Sequence, residues 1–301
     1  MSLVFLDGVL PAITTPFTAD DRIDHEAVDR QVRSCIEAGC TGIVALGSLG
    51  EVATLSADEK RALLRTVVRA TSPQRNVVAG IAALATADAV AMARMAADEG
   101  ASALMVLPPY VYSTDAREMQ AHVSAVMDAT PLPCILYNNP IAYRTDFLPA
   151  QVAELCAQHA NLVAIKESSA DVRRLTALRA LLGGRLRLLM GVDDLIVEGI
   201  GAGATGWIAG LVDALPQESV RLFDLARAGR WEEARRLYEW FLPLLRLDTV
   251  PKFVQLIKLT QEMVGVCSAR VRAPRLQLQG EELAQAQAVI RHALANRPTL
   301  D

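Results

Sequence analysis

Asn161-Leu162-Val163-Ala164-Ile165-Lys166-Glu167-Ser168-Ser169 is the stretch whose reading decides the fold. Four apolar residues run without alternation into a lysine, and polar residues follow at once. Such a run is the pattern of a strand buried on both faces, and strands of that kind belong to parallel sheets. Parallel α/β folds collect their chemistry at the C-terminal ends of the strands, which is where this reading puts Lys166. Among 30 Lys and Arg residues only Lys60, Lys166, Lys252 and Lys258 are lysines, so ordinary positive charge is carried by arginine. Lysine, unlike arginine, loses its proton when desolvated and can then attack a carbonyl or imine carbon. A lysine that snorkels from a strand end to solvent is the other reading of the same position.

Strand-like and helix-like segments alternate outward from this point. Strands are expected at 8–15, 41–46, 76–81, 103–107, 132–137, up to Lys166, at 186–190 and at 204–209. Asp24 and the box Ser56-Ala57-Asp58-Glu59 read as helix N-caps, and Gly39 and Gly100 as helix stops. Eight strand–helix units in roughly 230 residues have the count and length of a (β/α)8 TIM barrel of the α/β class. Segments 231–247, 252–265 and 281–296 read as helices with no strand between them. The expected organisation is a barrel over 1–229 and a C-terminal three-helix extension over 230–301.

With 301 residues, 52% hydrophobic and 21% charged, the chain has ample material for a core and is not a disordered protein. A net charge of −4 and no basic cluster interleaved with aromatics argue against nucleic acid and acidic membrane surfaces as partners. The apolar runs are strand-sized, far short of the ~18–20 residues of a membrane span, and the N-terminus lacks a signal peptide's basic region. Five scattered cysteines suit reduced thiols and a cytoplasmic setting. The four histidines form no ligand motif, so no metal is expected, and no glycine-rich nucleotide loop joins a strand to a helix.

In a barrel the strand ends meet at one mouth. They deliver there Thr14 and Thr15, Ser48 and Glu51, Tyr110, Tyr137 and Asn138, Lys166, Asp193 and Asp194, and the turn around Gly206 and Gly210. Ser48 lies in a Gly47-Ser48-Leu49-Gly50 turn, whose N–H groups can converge on a carboxylate; a plain turn with glycines for special dihedrals fits equally. Tyr137 is either a proton shuttle or a core aromatic with a bonded hydroxyl. Asp193-Asp194 reads first as a cap for the following helix. Glu51 and Glu167 read as partners that orient the loops.

The combination of Gly47-Ser48-x-Gly50-Glu51, Tyr137-Asn138-x-Pro140 and Ile165-Lys166-Glu167-Ser168 resembles the N-acetylneuraminate lyase / dihydrodipicolinate synthase family of Schiff-base barrel enzymes. The resemblance spans nearly the whole chain. It implies Lys166 as the imine-forming lysine and Tyr137 as its proton-relay partner. The substrate-facing set it implies is Thr15, Gly47, Ser48, Leu49, Tyr110 and Ile208, with the N–H groups of Ser48 and Leu49 on the substrate carboxylate. No cofactor is implied, the partner is a small 2-keto or imino acid, and a homo-oligomer, dimer or tetramer, is expected.

Departures from the lysine-biosynthesis branch stand at three places. Leu49 replaces a second hydroxyl residue, Val111 follows Tyr110 where that branch pairs tyrosines, and Ile141-Ala142 occupy the place of an arginine, with Arg144 later. Leu49 and Val111 cannot carry protons, which breaks that branch's hydroxyl relay. Tyr137-Asn138-Asn139-Pro140-x-Ala142-Tyr143, Gly191-Val192-Asp193-Asp194 and Val271-Arg272-Ala273-Pro274-Arg275-Leu276 resemble instead the 1-pyrroline-4-hydroxy-2-carboxylate deaminases of hydroxyproline degradation. The expected reaction is therefore deamination and dehydration of that pyrroline to 2,5-dioxopentanoate and ammonia. A dihydrodipicolinate-type synthase or a pyruvate-dependent aldolase is the alternative.

Overall fold

The structure is a computed structural model and describes residues 3–71, 76–110 and 115–300. Among these, eight strands form one sheet: β1 (Val9–Pro11), β2 (Gly42–Ala45), β3 (Asn76–Ile81), β4 (Ala103–Val106), β5 (Cys134–Asn138), β6 (Leu162–Glu167), β7 (Arg187–Met190) and β8 (Gly206–Ala209). Every pairing is parallel, in the order β1-β8-β7-β6-β5-β4-β3-β2. The Ala12–Val44 bridge and hydrogen bonds from Thr41 N to Val9 O and from Ile13 N to Val44 O, both 2.9 Å, bring β2 back to β1. The result is a TIM barrel. Its strands are buried along almost their whole length, which accounts for their lack of alternation.

Between the strands run α1 (His25–Glu37), α2 (Ala57–Ala70), α3 (Thr86–Asp98), α4 (Ala116–Asp128), α5 (Pro140–Tyr143), α6 (Pro149–Gln158), α7 (Arg173–Leu182) and α8 (Ile196–Gly201). The chain continues with α9 (Pro216–Arg227), α10 (Trp231–Leu245), α11 (Phe253–Met263) and α12 (Gly280–Ala295). Local chemistry sets the helix starts. Asp24 accepts from Ala27 N at 2.9 Å, and Ser56 and Glu59 form a reciprocal capping box. Trp207, Phe241 and Ile290 belong to one buried core, so β8, α10 and α12 share their apolar interior. The expected boundary at 229/230 falls in the turn between α9 and α10.

Two elements depart from expectation. The first strand stops at Pro11, because Thr14 N turns to the Asp213 carboxylate (2.7 Å) and the Thr14 hydroxyl to Gln261 (2.8 Å). The segment after β5 holds the extra helix α5, begun by Pro140 at its first turn and capped by Asn139, which accepts from Ala142 N at 3.0 Å. Among the described residues no helix is long and apolar enough to cross a membrane, and no group of three or more His, Cys, Asp or Glu could hold a metal ion.

Candidate active site

Parallel register places Lys166 beside Tyr137: the two are paired residues on β6 and β5, as are Glu167 and Asn138 one step on. Lys166 Nζ lies 4.5 Å from the centre of the Tyr137 ring and has no hydrogen-bond partner among the described residues. The side chain is 7% exposed. Burial pulls its ammonium down to about 8, while the nearby carboxylates of Asp248 and Asp193 oppose the shift. An amine with that proton affinity is substantially neutral near pH 8 and able to act as a nucleophile. It opens on a cavity of about 520 Å³ shared with Tyr137, Gly47, Ser48 and Leu49.

The N–H groups of Ser48 and Leu49 have no hydrogen-bond partner among the described residues, so the turn presents two unpaired donors beside the cavity. The Ser48 hydroxyl makes a short hydrogen bond with the hydroxyl of Tyr143, the last residue of α5. The Tyr143 ring meets Tyr137 edge-on at 5.9 Å and Tyr110 at 5.5 Å. Burial pushes the Tyr137 hydroxyl up to about 12, against a hydrogen bond from Asn139 Nδ2 at 2.9 Å that favours the phenolate. Burial raises Tyr143 as well. Both tyrosines are neutral donors at physiological pH.

Other expected residues fall differently. Thr15, Tyr110 and Ile208 do not line the cavity; Thr15 donates its hydroxyl to Gly50 O (2.7 Å) and so braces the turn that carries Ser48. Glu51 is buried and takes Lys258 Nζ at 2.5 Å and Arg272 N at 3.1 Å, which ties that turn to the C-terminal segment. Glu167 accepts from Ser169 N at 2.7 Å and from Asn138 Nδ2 at 3.2 Å. Asp193 does not cap its own helix. It accepts from Gly210 N (3.1 Å) and Leu211 N (2.9 Å) and so holds the turn after β8. Val111 and Tyr112 lie outside the described residues.

Among the cavity residues to which the sequence assigned no site role are Tyr143, Asp248 and Arg275. Asp248 ends a 3-10 turn, Arg246–Asp248, between α10 and α11, and Arg275 follows α11. Asp248 carries no periodic or motif signal, and Arg275 enters only as part of segment 271–276, with no role attached. A tyrosine four residues past Asn139, at the end of a Pro-started turn, was the one legible clue to Tyr143.

Comparison with known proteins agrees with this geometry. A model of the dihydrodipicolinate synthetase family matches residues 5–293. The 4-hydroxy-tetrahydrodipicolinate synthase of Xanthomonas campestris pv. campestris is 40% identical over 230 residues, 76% of each chain. The solved structure of the 4-hydroxy-tetrahydrodipicolinate synthase from Methylacidiphilum fumariolicum SolV superposes with a TM-score of 0.90 at 29% identity, covering 96% of this chain and 97% of that one. A prophage protein of the dihydrodipicolinic acid synthase family from E. coli, solved in complex with pyruvate, gives a TM-score of 0.90 at 26% identity, with 97% and 99% covered.

These relatives overturn the expected pyrroline deaminase. They carry synthase names, and nothing among them points to hydroxyproline degradation. The physical ground for setting the synthase aside is a relay interrupted at Leu49 and Val111, with an arginine displaced at Ile141-Ala142; Val111 lies outside the described residues. In the folded chain Tyr143 supplies a hydroxyl partner to Ser48 from within the same subunit, so a leucine at 49 does not leave that serine isolated.

Proposed function

The chain belongs to the dihydrodipicolinate synthetase family, and from that membership we propose that it is a lysine Schiff-base lyase joining pyruvate to a short aldehyde. The preferred acceptor is aspartate semialdehyde, as the names of its relatives suggest. The observation that carries this reading is the buried, unpartnered amine of Lys166 at the cavity, next to Tyr137 in register.

Neutral Lys166 attacks C2 of pyruvate, and loss of water gives a protonated ketimine. The unpaired N–H groups of Ser48 and Leu49 receive the carboxylate. The iminium nitrogen acidifies C3–H, and the enamine that forms attacks the aldehyde carbon of the acceptor. The amino group of the new chain then adds to C2 and displaces Lys166, closing the ring of 4-hydroxy-tetrahydrodipicolinate. Tyr137, with Ser48 and Tyr143 behind it, carries protons to the oxygen that leaves C2 and from the C3–H. Arg275, on the cavity wall and 3.7 Å from the Glu51 carboxylate, is a cation within the site for the acceptor's carboxylate. The lysine itself is the electron sink. Residues 1–229 with 230–301 act as one unit in this scheme, and a homo-oligomer is its expected assembly.

The test is incubation with pyruvate and cyanoborohydride, followed by peptide mass mapping, and then condensation with aspartate semialdehyde. A reduced pyruvyl adduct on the Lys166 peptide and consumption of both substrates are expected. Absence of an adduct, or an adduct confined to Lys60, Lys252 or Lys258, would sink the reading.

A further inference from the structure

The mechanism above leaves the cavity's own carboxyl, that of Asp248, unused. It shares the cavity wall with Lys166, Tyr137 and Ser48, and its Oδ1 is buried with no hydrogen-bond partner. Each neighbouring carboxyl has a partner on at least one oxygen: Asp193 takes Gly210 N and Leu211 N, Asp213 takes Thr14 N through Oδ2, and Asp194 lies 3.5 Å from Arg246 Nε. Two glycines make room for the pair. A Cβ on Gly191 would fall 2.7 Å from Lys166 Cγ and 2.8 Å from Cε. A Cβ on Gly210 would collide with Asp248 Oδ1 and come within 2.9 Å of Leu49 Cδ2. The lysine stem and the carboxyl are thus both seated against backbone that a larger residue would close.

Buried polar atoms are ordinarily satisfied, and a carboxyl with an unpaired oxygen in the wall of a cavity that holds a nucleophile calls for a function. Burial raises the Asp248 carboxyl well above the usual carboxylate range, with Asp193 adding to the shift and Lys166 opposing it. The same burial lowers Lys166. Both shifts favour the uncharged pair, a free amine and a protonated acid, which is what a condensation requires at its start.

Resting on the Schiff-base reading, we propose that Asp248 is the general acid of the acceptor half of the reaction. As C3 of the enamine attacks the aldehyde carbon, the C–C bond forms and the carbonyl π pair moves to oxygen. That oxygen takes the Asp248 proton and becomes the hydroxyl. Asp248 is left as a carboxylate facing the iminium regenerated on Lys166, and the two opposite charges stabilise each other in the cavity. Solvent returns the proton after product leaves. In the cleavage direction the same carboxylate removes the hydroxyl proton. Acceptor chemistry thereby resides on the C-terminal segment, and the pyruvate half on the strand ends.

The experiment separates the two halves in wild type, Asp248→Asn and Asp248→Glu. Pyruvate alone reports the first half, through the cyanoborohydride adduct and through exchange of its methyl protons in D2O followed by NMR. Aspartate semialdehyde consumption reports the second. Asp248→Asn should lose roughly 10²–10⁴ in condensation rate, the range of a general acid, while exchange changes by less than about tenfold. Asp248→Glu should recover part of the condensation. Exchange also shows that each variant is folded. Unchanged condensation in Asp248→Asn overturns the assignment, as does a parallel fall of exchange and condensation, which would place Asp248 behind Lys166. A wild type that neither exchanges nor traps pyruvate overturns the Schiff-base reading and this one with it.

Discussion

Lys166 and Lys258 are both buried lysines of one barrel mouth, and their surroundings are opposite. Lys258 is 0% exposed and donates to Thr15 O (2.7 Å), Arg270 O (2.8 Å) and the Glu51 carboxylate (2.5 Å). All three of its protons have acceptors. Lys166 has none among the described residues and faces the cavity. Each also sits over an aromatic ring, Lys258 at 4.4 Å from Phe17 and Lys166 at 4.5 Å from Tyr137. Burial lowers the proton affinity of both, so that shift alone does not tell them apart. Hydrogen bonding does. An ammonium whose protons are fully engaged is a structural cation, and an unengaged one is a nucleophile in waiting.

The largest expected effect strikes one side of this contrast. Lys166→Arg should abolish both the pyruvate adduct and condensation, because guanidinium stays protonated, while leaving the melting temperature within a few degrees. An adduct that persists in this variant would mean that another amine does the chemistry. Lys258→Met should do the reverse. It strands the buried Glu51 carboxylate and should cost about 3–5 kcal/mol in denaturant unfolding, with much of that loss recovered in the Glu51→Gln/Lys258→Met double variant. Equal stability of Lys258→Met and wild type would reduce the Lys258 anchor to a bystander.

The smallest effect sharpens the same comparison through pH. The Lys166 ammonium is held at about 8, below the usual 10.5, so its neutral fraction grows about tenfold per pH unit below that point and saturates above it. Initial trapping rates at low pyruvate should therefore rise with pH and level off above about 8. A rise that continues to pH 10 would show that the cavity does not desolvate the amine. Lys258 should remain unmodified across the range.

Lys166, Tyr137 and Ser48 were legible because strand ends fix position through local pattern. An unalternating apolar run followed by one polar residue announces the end of a buried strand, and parallel register does the rest. Tyr143 and Asp248 depend on where a four-residue helix and a single 3-10 turn fold back, and neither position follows from periodicity. The misreading of the reaction has the same root. Leu49, Ile141 and Ala142 count as losses along a linear motif, yet α5 returns a hydroxyl to Ser48 in space. The helix cap expected of Asp193 or Asp194 has the same fate: Asp193 instead holds the backbone after β8 across the barrel, and the helix that follows has no side-chain cap bond.

The Lys258 anchor also sets a timetable. Its acceptors at Thr15 and Glu51 precede it in the chain by 243 and 207 residues. At a synthesis rate of ~5–20 residues per second, Glu51 leaves the ribosome about 10–40 s before its cation exists. Throughout that interval the turn carrying Ser48 has no means of burying its glutamate. The substrate-facing loop therefore assembles late, after the whole barrel sheet has been made, and a nascent chain stalled before residue 258 holds a barrel whose mouth is still open to water.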